Sequence, residues 1–361
     1  MKITRILATD ISIPLKRAFK TAVRSAGHVC SVIARIEAEG LIGFGEAAET
    51  PAITGETIGG IRHAISNFIA PAIIGRDLSD FEELMSALKS SINENPSAKA
   101  CVDMALYSLR AQSLSMPLWR LLGGARRRIE TDITVSMDSP ERMADSGRIA
   151  VSEGYRILKL KVGSPGDLDV KRVAQVREAV GDAVAIRVDA NQGWSAKQAV
   201  RIIRTLEDMG LNPEIIEQPT LAGDIDSLAF VNQNVHTPIL ADESVRSSRD
   251  ASEILFRRAA DCVNVKLMKC GGIHEALKII AACEAFGADV MMGSMLEGGL
   301  ASSAAAHLAC GALAVSMADL DSRALVAEDP FEGGPIFSGG DITMSDTYGI
   351  GVLPKGSLMW E

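Results

Sequence analysis

The sequence predicts an α/β fold, a modified TIM (β/α) barrel preceded by an α+β unit, on three observations. From about residue 131 the chain repeats a strand-then-helix rhythm: "DITVSM", "ILKLKVG", "AIRVDAN", "EIIEQP", "PILADES", "CVNVKLMK", "DVMMGSM" and "SMADLDS" read as strands separated by helical stretches. A polar residue stands near the end of each: Thr134, Lys161, Asp189, Glu217, Asp242, Lys266, Ser294 and Asp319, spaced by 27, 28, 28, 25, 24, 28 and 25 residues. That spacing is what one strand, one helix and two loops require, and eight such units close into a barrel whose chemistry collects at the carboxyl ends of its strands. Finally, the first 125 residues break the rhythm, so a smaller unit comes first.

In chain order, "KITRILATDISIPL" and "VCSVIARIEAEGLIGFGEAAE" suggest a strand meander with a turn at Glu39-Gly40. "TIGGIRHAISNFIAPAIIG", "DFEELMSALKSS" and "SAKACVDMALYSLRAQ" read as helices. In the barrel, Ser139 caps a helix begun by Pro140 and stopped by Gly154. Ser195 caps another, with a stripe of Ala199, Ile202, Ile203 and Leu206 and a stop at Gly210. The tail beyond about residue 322 is too irregular for a domain and is expected to pack back on the first unit. The expected division is 1–125, 126–321 and 322–361. A doubly wound sheet would share the alternation, but it normally carries a glycine-rich phosphate turn after its first strand, and no G-x-G-x-x-G occurs there.

Composition is ordinary for a folded chain of 361 residues, with 47% hydrophobic and 23% charged residues. A net charge of −9 argues against a nucleic-acid partner. Asp10 interrupts any secretory apolar core, and no uncharged apolar run reaches 18 residues. Six cysteines without CxxC pairs suit reduced thiols, so a cytoplasmic protein is expected.

Asp189, Glu217 and Asp242 fall on three successive strands, in "VDAN", "IEQP" and "ADES". One such acid alone reads better as a helix cap or an arginine's partner at the barrel rim. Three converging without compensation would be strongly unfavourable, and a hard divalent cation resolves the conflict. Mg²⁺ accepts an all-oxygen set and keeps positions for substrate and water; the lack of His or Cys argues against zinc. Lys161 lies one strand before the acids and Lys266 one strand after. A protonated lysine is no base, but a metal cation, a second ammonium and desolvation favour the neutral amine. Lys159, on the same side of its strand as Lys161, is expected to lower its neighbour's proton affinity. The constellation describes proton removal beside a metal-held carboxylate, with an enediolate stabilised by Mg²⁺ and a base on each face, so that the stereocentre inverts. None of the five histidines falls at a matching strand position.

With these motifs, together with "GFGEAAE", "ITGET" and "VKLMKCGG", the chain resembles the enolase superfamily, specifically its muconate-lactonizing branch, over essentially its whole length. The lysine base and Mg²⁺ are an established pattern of that superfamily. The resemblance implies an N-terminal capping domain with substrate-specificity loops, metal ligands at Asp189, Glu217 and Asp242, bases at Lys161 (S face) and Lys266 (R face), and a homo-oligomer. "ADLDS" places Asp319 and Asp321 on one side of the eighth strand, like the Asp-x-Asp motif of dipeptide epimerases; two carboxylates at that spacing suit an α-ammonium with three donors. An acidic surface loop is the plainer reading of so short a motif, and its place in the eighth unit favours the first. "FKTAVRS" resembles the family's specificity loop. Arg24 there pairs either with an anionic substrate side chain, as an L-Ala-D/L-Glu epimerase would need, or with an acid across the domain interface. Thr134 and Met295 are further candidates for contact with the substrate, as is Lys159. The rivals are an N-succinylamino acid racemase or o-succinylbenzoate synthase of the same branch, a Schiff-base lyase using Lys161 or Lys266 on a carbonyl, and a catalytically silent scaffold.

Overall fold

The computed structural model describes residues 1–20, 25–163, 168–356 and 358–360. The chain opens with an antiparallel meander, β1 (Ile3–Lys20), β2 (Ser25–Ala38) and β3 (Leu41–Ala48), in spatial order β1-β2-β3. Glu39 and Gly40 both take positive φ, the conformation a two-residue hairpin turn requires between Ala38 and its partner Leu41. Gly43 and Gly45 face the helix Pro96–Ser113, and a Cβ at either would overlap the carbonyl of Ala105 or Cys101. Backbone contact that close holds the helix onto the sheet, and its apolar residues are buried nearly all round.

After β4 (Arg128–Glu130) come eight parallel strands: β5 (Ile133–Val135), β6 (Ile157–Lys161), β7 (Ala185–Asp189), β8 (Ile215–Glu217), β9 (Ile239–Ala241), β10 (Cys262–Lys266), β11 (Asp289–Gly293) and β12 (Val315–Asp319). They pair in sequence order from β5 to β12. The seam between β12 and β5 is drawn together by the Asp132 amide donating to Ala318 O (3.3 Å) and the Leu320 amide donating to Thr131 Oγ1 (2.8 Å). Each of the first seven strands is followed by a helix, whereas β12 is followed only by the short turn of helix Ser322–Leu325. The expected caps are present. Ser139 Oγ accepts from the Arg142 amide, Gln198 Oε1 accepts from the Ser195 amide, and Gly154 and Gly210 end their helices at positive φ. Among the described residues no helix is long and apolar enough to cross a membrane.

The tail has more order than its sequence suggests. It forms β13 (Phe331–Gly333), β14 (Ile336–Ser338), β15 (Asp341–Thr343) and β16 (Val352–Pro354), with β15 antiparallel to β4 and β13 to β16. Strands of three residues are too short to show an alternating pattern. The tail also touches the N-terminal unit through an isolated bridge between Leu15 and Val326 and a ring contact between Phe44 and Trp360.

Two buried acids of the N-terminal unit cap barrel helices whose own N-cap residues are glycines without a side chain. Glu46 accepts from the amides of Gly298 (2.7 Å) and Ala301 (3.0 Å) at the start of Gly299–Gly311. Asp103 accepts from Ile273 (2.6 Å) and His274 (3.1 Å) at the start of Ile273–Phe286. Burial raises both carboxyls above their ordinary range, Asp103 to about 7.

Candidate active site

Register aligns the chemistry. Lys161, Asp189 and Glu217 are Cα partners across β6, β7 and β8, and Lys266, Gly293 and Asp319 are partners across β10, β11 and β12. Paired residues on neighbouring strands face the same way, so both rows point into the barrel at its carboxyl end. Gly293 has to be small, because a Cβ there would overlap the Asn264 amide and crowd the Lys266 stem. Asp242 lies one residue past the end of β9.

Lysines hold the three expected metal acids. Lys161 Nζ lies 2.6 Å from Asp189 Oδ2, and Lys266 Nζ lies 2.6 Å from Asp242 Oδ2 and 4.0 Å from Glu217 Oε1. Lys159, wholly buried, reaches Glu217 Oε2 at 2.7 Å, Asp319 Oδ2 at 2.7 Å and Asp189 Oδ2 at 3.2 Å. Lys269 donates to Asp242 Oδ1 (2.6 Å), to the Asp242 carbonyl and to Asn264 O (3.1 Å). Burial alone would raise Asp189 and Asp242, but Lys161 and Lys159 hold the first below the usual carboxylate range, and Lys266 and Lys269 hold the second far below it. Glu217 goes the other way: burial, then the charge of Asp189, pushes it up to about 7.

Lys159 and Lys161 share one acid. Asp189 Oδ2 lies between the two ammoniums, and although burial disfavours its charge, Asp319, Glu217 and Asp189 raise Lys159 well above the ordinary lysine range. With no exposure, it stands beneath the cleft rather than in contact with a substrate. Lys266 is likewise raised despite its burial, chiefly by Asp242, so in this arrangement it is an ammonium and not a free base. The expected neutral amines require the acids to find another cationic partner.

The cleft is lined by Thr134, Lys161, Asn191, Asp242, Lys266, Ser294, Met295, Asp319 and Asp321, and its rim by Phe19, Ile53, Leu296 and Leu325. The Thr134 amide donates to Asp321 Oδ2 (2.6 Å), while Ser294 Oγ donates to the Asp319 carbonyl (3.2 Å). Arg24 lies outside the described residues. Among the described residues no histidine lines this cleft. Sequence reasoning passed over Lys269, Asn191 and Asp132. Each had a positional signal: Lys269 is one helical turn after Lys266, Asn191 two residues after Asp189, and Asp132 two before Thr134, on the same side of its strand.

Set beside known proteins, residues 3–123 match the mandelate racemase/muconate lactonizing enzyme N-terminal domain, and residues 142–357 match the enolase C-terminal domain-like family. The chain is 44% identical over 353 residues to an L-Ala-D/L-Glu epimerase of Clostridium acetobutylicum, covering 98% of this chain and 99% of that one. A substrate-liganded structure of the L-Ala-D/L-Glu epimerase from Bacillus subtilis superposes with a TM-score of 0.97 at 43% identity, over 98% of this chain and 99% of that one. A dipeptide epimerase from Enterococcus faecalis, solved with Mg and the dipeptide L-Leu-L-Tyr, superposes at 0.95 with 38% identity, over 98% and 99%. Matched in both its parts and along nearly its full length, the chain belongs to the mandelate racemase/muconate lactonizing enzyme family, within the enolase superfamily.

Proposed function

We propose that the chain is a Mg²⁺-dependent dipeptide epimerase, an isomerase that inverts the α-carbon of a dipeptide's C-terminal residue, with L-Ala-D/L-Glu as its substrate pair. The observation that carries this reading is the pairing of two features in one cleft: Lys161 and Lys266 approach from either side of three acid-bearing strands, and Asp319 and Asp321 stand at the eighth. The names of the full-length relatives support it.

Asp189, Glu217 and Asp242 suit a hard cation, because all three are buried carboxylates at one barrel end and now depend on lysines for compensation. Bound there, Mg²⁺ would neutralise the acids and draw electron density from a substrate carboxylate, acidifying the neighbouring C–H. Once their carboxylate partners are otherwise engaged, Lys161 Nζ and Lys266 Nζ can exist as amines. One then takes the α-proton from its face while the other, still an ammonium, delivers a proton to the opposite face. Asp319 and Asp321 hold the dipeptide's α-ammonium, which orients the α-carbon of the second residue between the lysines. Arg24, outside the described residues, is the sequence's candidate for the glutamate carboxylate, an acid across the domain interface being its other candidate partner. The six unpaired thiols support a reducing, cytoplasmic setting, and the family resemblance implies a homo-oligomer.

A dipeptide library incubated in heavy water and read by mass spectrometry tests the reading. Free dipeptides should gain one deuterium at the C-terminal residue's α-carbon, L-Ala-L-Glu foremost, and a chelator should abolish the gain. Preference for N-succinylated amino acids would replace the epimerase reading with the racemase one. Trapping by borohydride with indifference to chelation would replace it with a Schiff-base lyase.

A further inference from the structure

Among the described residues, the tightest trio of acidic oxygens is not the expected metal set. It is Asp132, Asp319 and Asp321, each offering an oxygen within 4.8 Å of the other two. The trio lies on the barrel seam, Asp132 just before β5 and the other two at and after the end of β12. One oxygen of each acid is spoken for. Asp132 Oδ2 accepts from Arg187 Nη1 (2.8 Å), Asp319 Oδ2 from Lys159 Nζ (2.7 Å), and Asp321 Oδ2 from the Thr134 amide (2.6 Å). The second oxygen of Asp132 is buried and has no hydrogen-bond partner.

The local charges do not balance. Arg187 is shared with Glu214, at 2.7 Å, and Lys159 is shared with Glu217 and Asp189. Three buried carboxylates at this separation cannot all stay ionised without another positive charge, and a wholly buried carboxylate oxygen with no donor is costly.

We propose that Asp132 is a third acid of the amino-end subsite, a positioning residue that keeps a proton in the empty site and releases it when a substrate α-ammonium binds beside Asp319 and Asp321. The exchange balances: the carboxylic O–H of the trio ionises, its proton goes to solvent, and the incoming ammonium, which stays protonated, supplies the positive charge in its place. Asp132 is too enclosed to touch the ligand itself. It acts through the two acids in front of it, making the subsite favour a cationic amino end over an acylated, neutral one. The groups facing the trio are Arg187 from β7, Lys159 and Lys161 from β6, Lys266 from β10, Tyr155 ahead of β6 and the buried acid Glu297 after β11. Burial, then the charge of Asp319, raises Asp132 well above the usual range and Asp321 to about 6, consistent with a retained proton.

The inference rests on the dipeptide reading above, and the test separates the two. The Mg²⁺-loaded enzyme is titrated calorimetrically near pH 7 with an equilibrium mixture of L-Ala-L-Glu and L-Ala-D-Glu, which undergoes no net turnover, in phosphate and in Tris buffer. The difference in heat should report release of about one proton per dipeptide bound. Asp132→Asn, which keeps an oxygen for Arg187, should bring the release close to zero and raise KM for the free dipeptide about tenfold with kcat largely kept. An N-acetylated dipeptide should displace no proton. In the wild-type enzyme, which needs no variant to fold, the infrared C=O stretch of a protonated carboxyl should disappear on dipeptide binding. Binding and epimerisation without proton release, or release unchanged in Asp132→Asn, would overturn the inference and leave the epimerase reading standing. Failure of any dipeptide to bind would remove both.

Discussion

Two acid clusters share one barrel mouth and differ in what balances them. Asp189, Glu217 and Asp242 meet Lys159, Lys161, Lys266 and Lys269, so that every carboxylate touches at least one ammonium. Asp132, Asp319 and Asp321 meet a shared arginine, a shared lysine and a backbone amide. The first cluster is compensated as it stands, and a divalent ion can enter only by taking carboxylates away from amines. Filling that site would therefore be coupled to freeing a lysine amine from its carboxylate. The second cluster is short of positive charge and takes a monovalent ammonium without evicting anything larger than a proton.

The sharpest way to break this contrast is to remove an amine that the first cluster would release. Lys161→Ala and Lys266→Ala should each lower epimerisation by on the order of 10³-fold or more. Exchange of the α-proton with deuterium, followed by NMR, should persist for one stereoisomer in each variant; normal epimerisation by either would end the two-base scheme. Next in size is Lys159→Met. It strips a buried cation from Asp189, Glu217 and Asp319 together and should cost on the order of 3–5 kcal/mol in the metal-free protein, measured by urea denaturation. Added Mg²⁺ should recover part of that loss. Asp321→Ala probes the second cluster alone. KM for a free dipeptide should rise roughly 10- to 100-fold while Mg²⁺ affinity, measured by calorimetry, stays near wild type.

A separate probe concerns Asp103, a buried acid with no ion pair among the described residues, as a reference for both clusters. Its carboxyl is raised to about 7 in the folded protein from an ordinary value of 3.8. The folded state thus holds a proton the unfolded chain has lost. Its contribution is complete below about pH 4 and disappears as pH climbs through 7, a loss of at most about 4 kcal/mol. Asp103→Asn should flatten that slope in a pH series of denaturation curves, and an unchanged slope would mean that burial does not govern this carboxyl.

The barrel was legible because each unit repeats the same local statement: apolar strand, polar end residue, capped helix. The positions of the three strand-end acids and of both lysines were readable for the same reason, since a fixed period places them at one end of the sheet. Which cation each acid meets was not readable. Lys159 and Lys161 look alike on the strand, yet one is enclosed by three carboxylates and the other opens onto the cleft, and that depends on residues 28 to 160 positions away. The positional signal of Asp132 carried little for a related reason: its significance comes from closure of the seam, which brings the first and last strands together. The tail's four strands escaped notice because each is only three residues long and is defined by its partner rather than by its own pattern.

The glycine-started helices have a consequence for how the molecule is made. Asp103 and Glu46 leave the ribosome early, but the amides they must bind follow 170 and 252 residues later. Until then Glu46 holds only the Ser31 hydroxyl (2.8 Å) and Asp103 lacks its two amides, and the barrel helices, once synthesised, begin with bare amides unless that unit is already folded beside them. Neither half is a self-sufficient intermediate, and final docking waits on contacts of very long sequence separation, which are slow to form. Maturation of this enzyme should therefore be limited by the meeting of its two parts rather than by the folding of either.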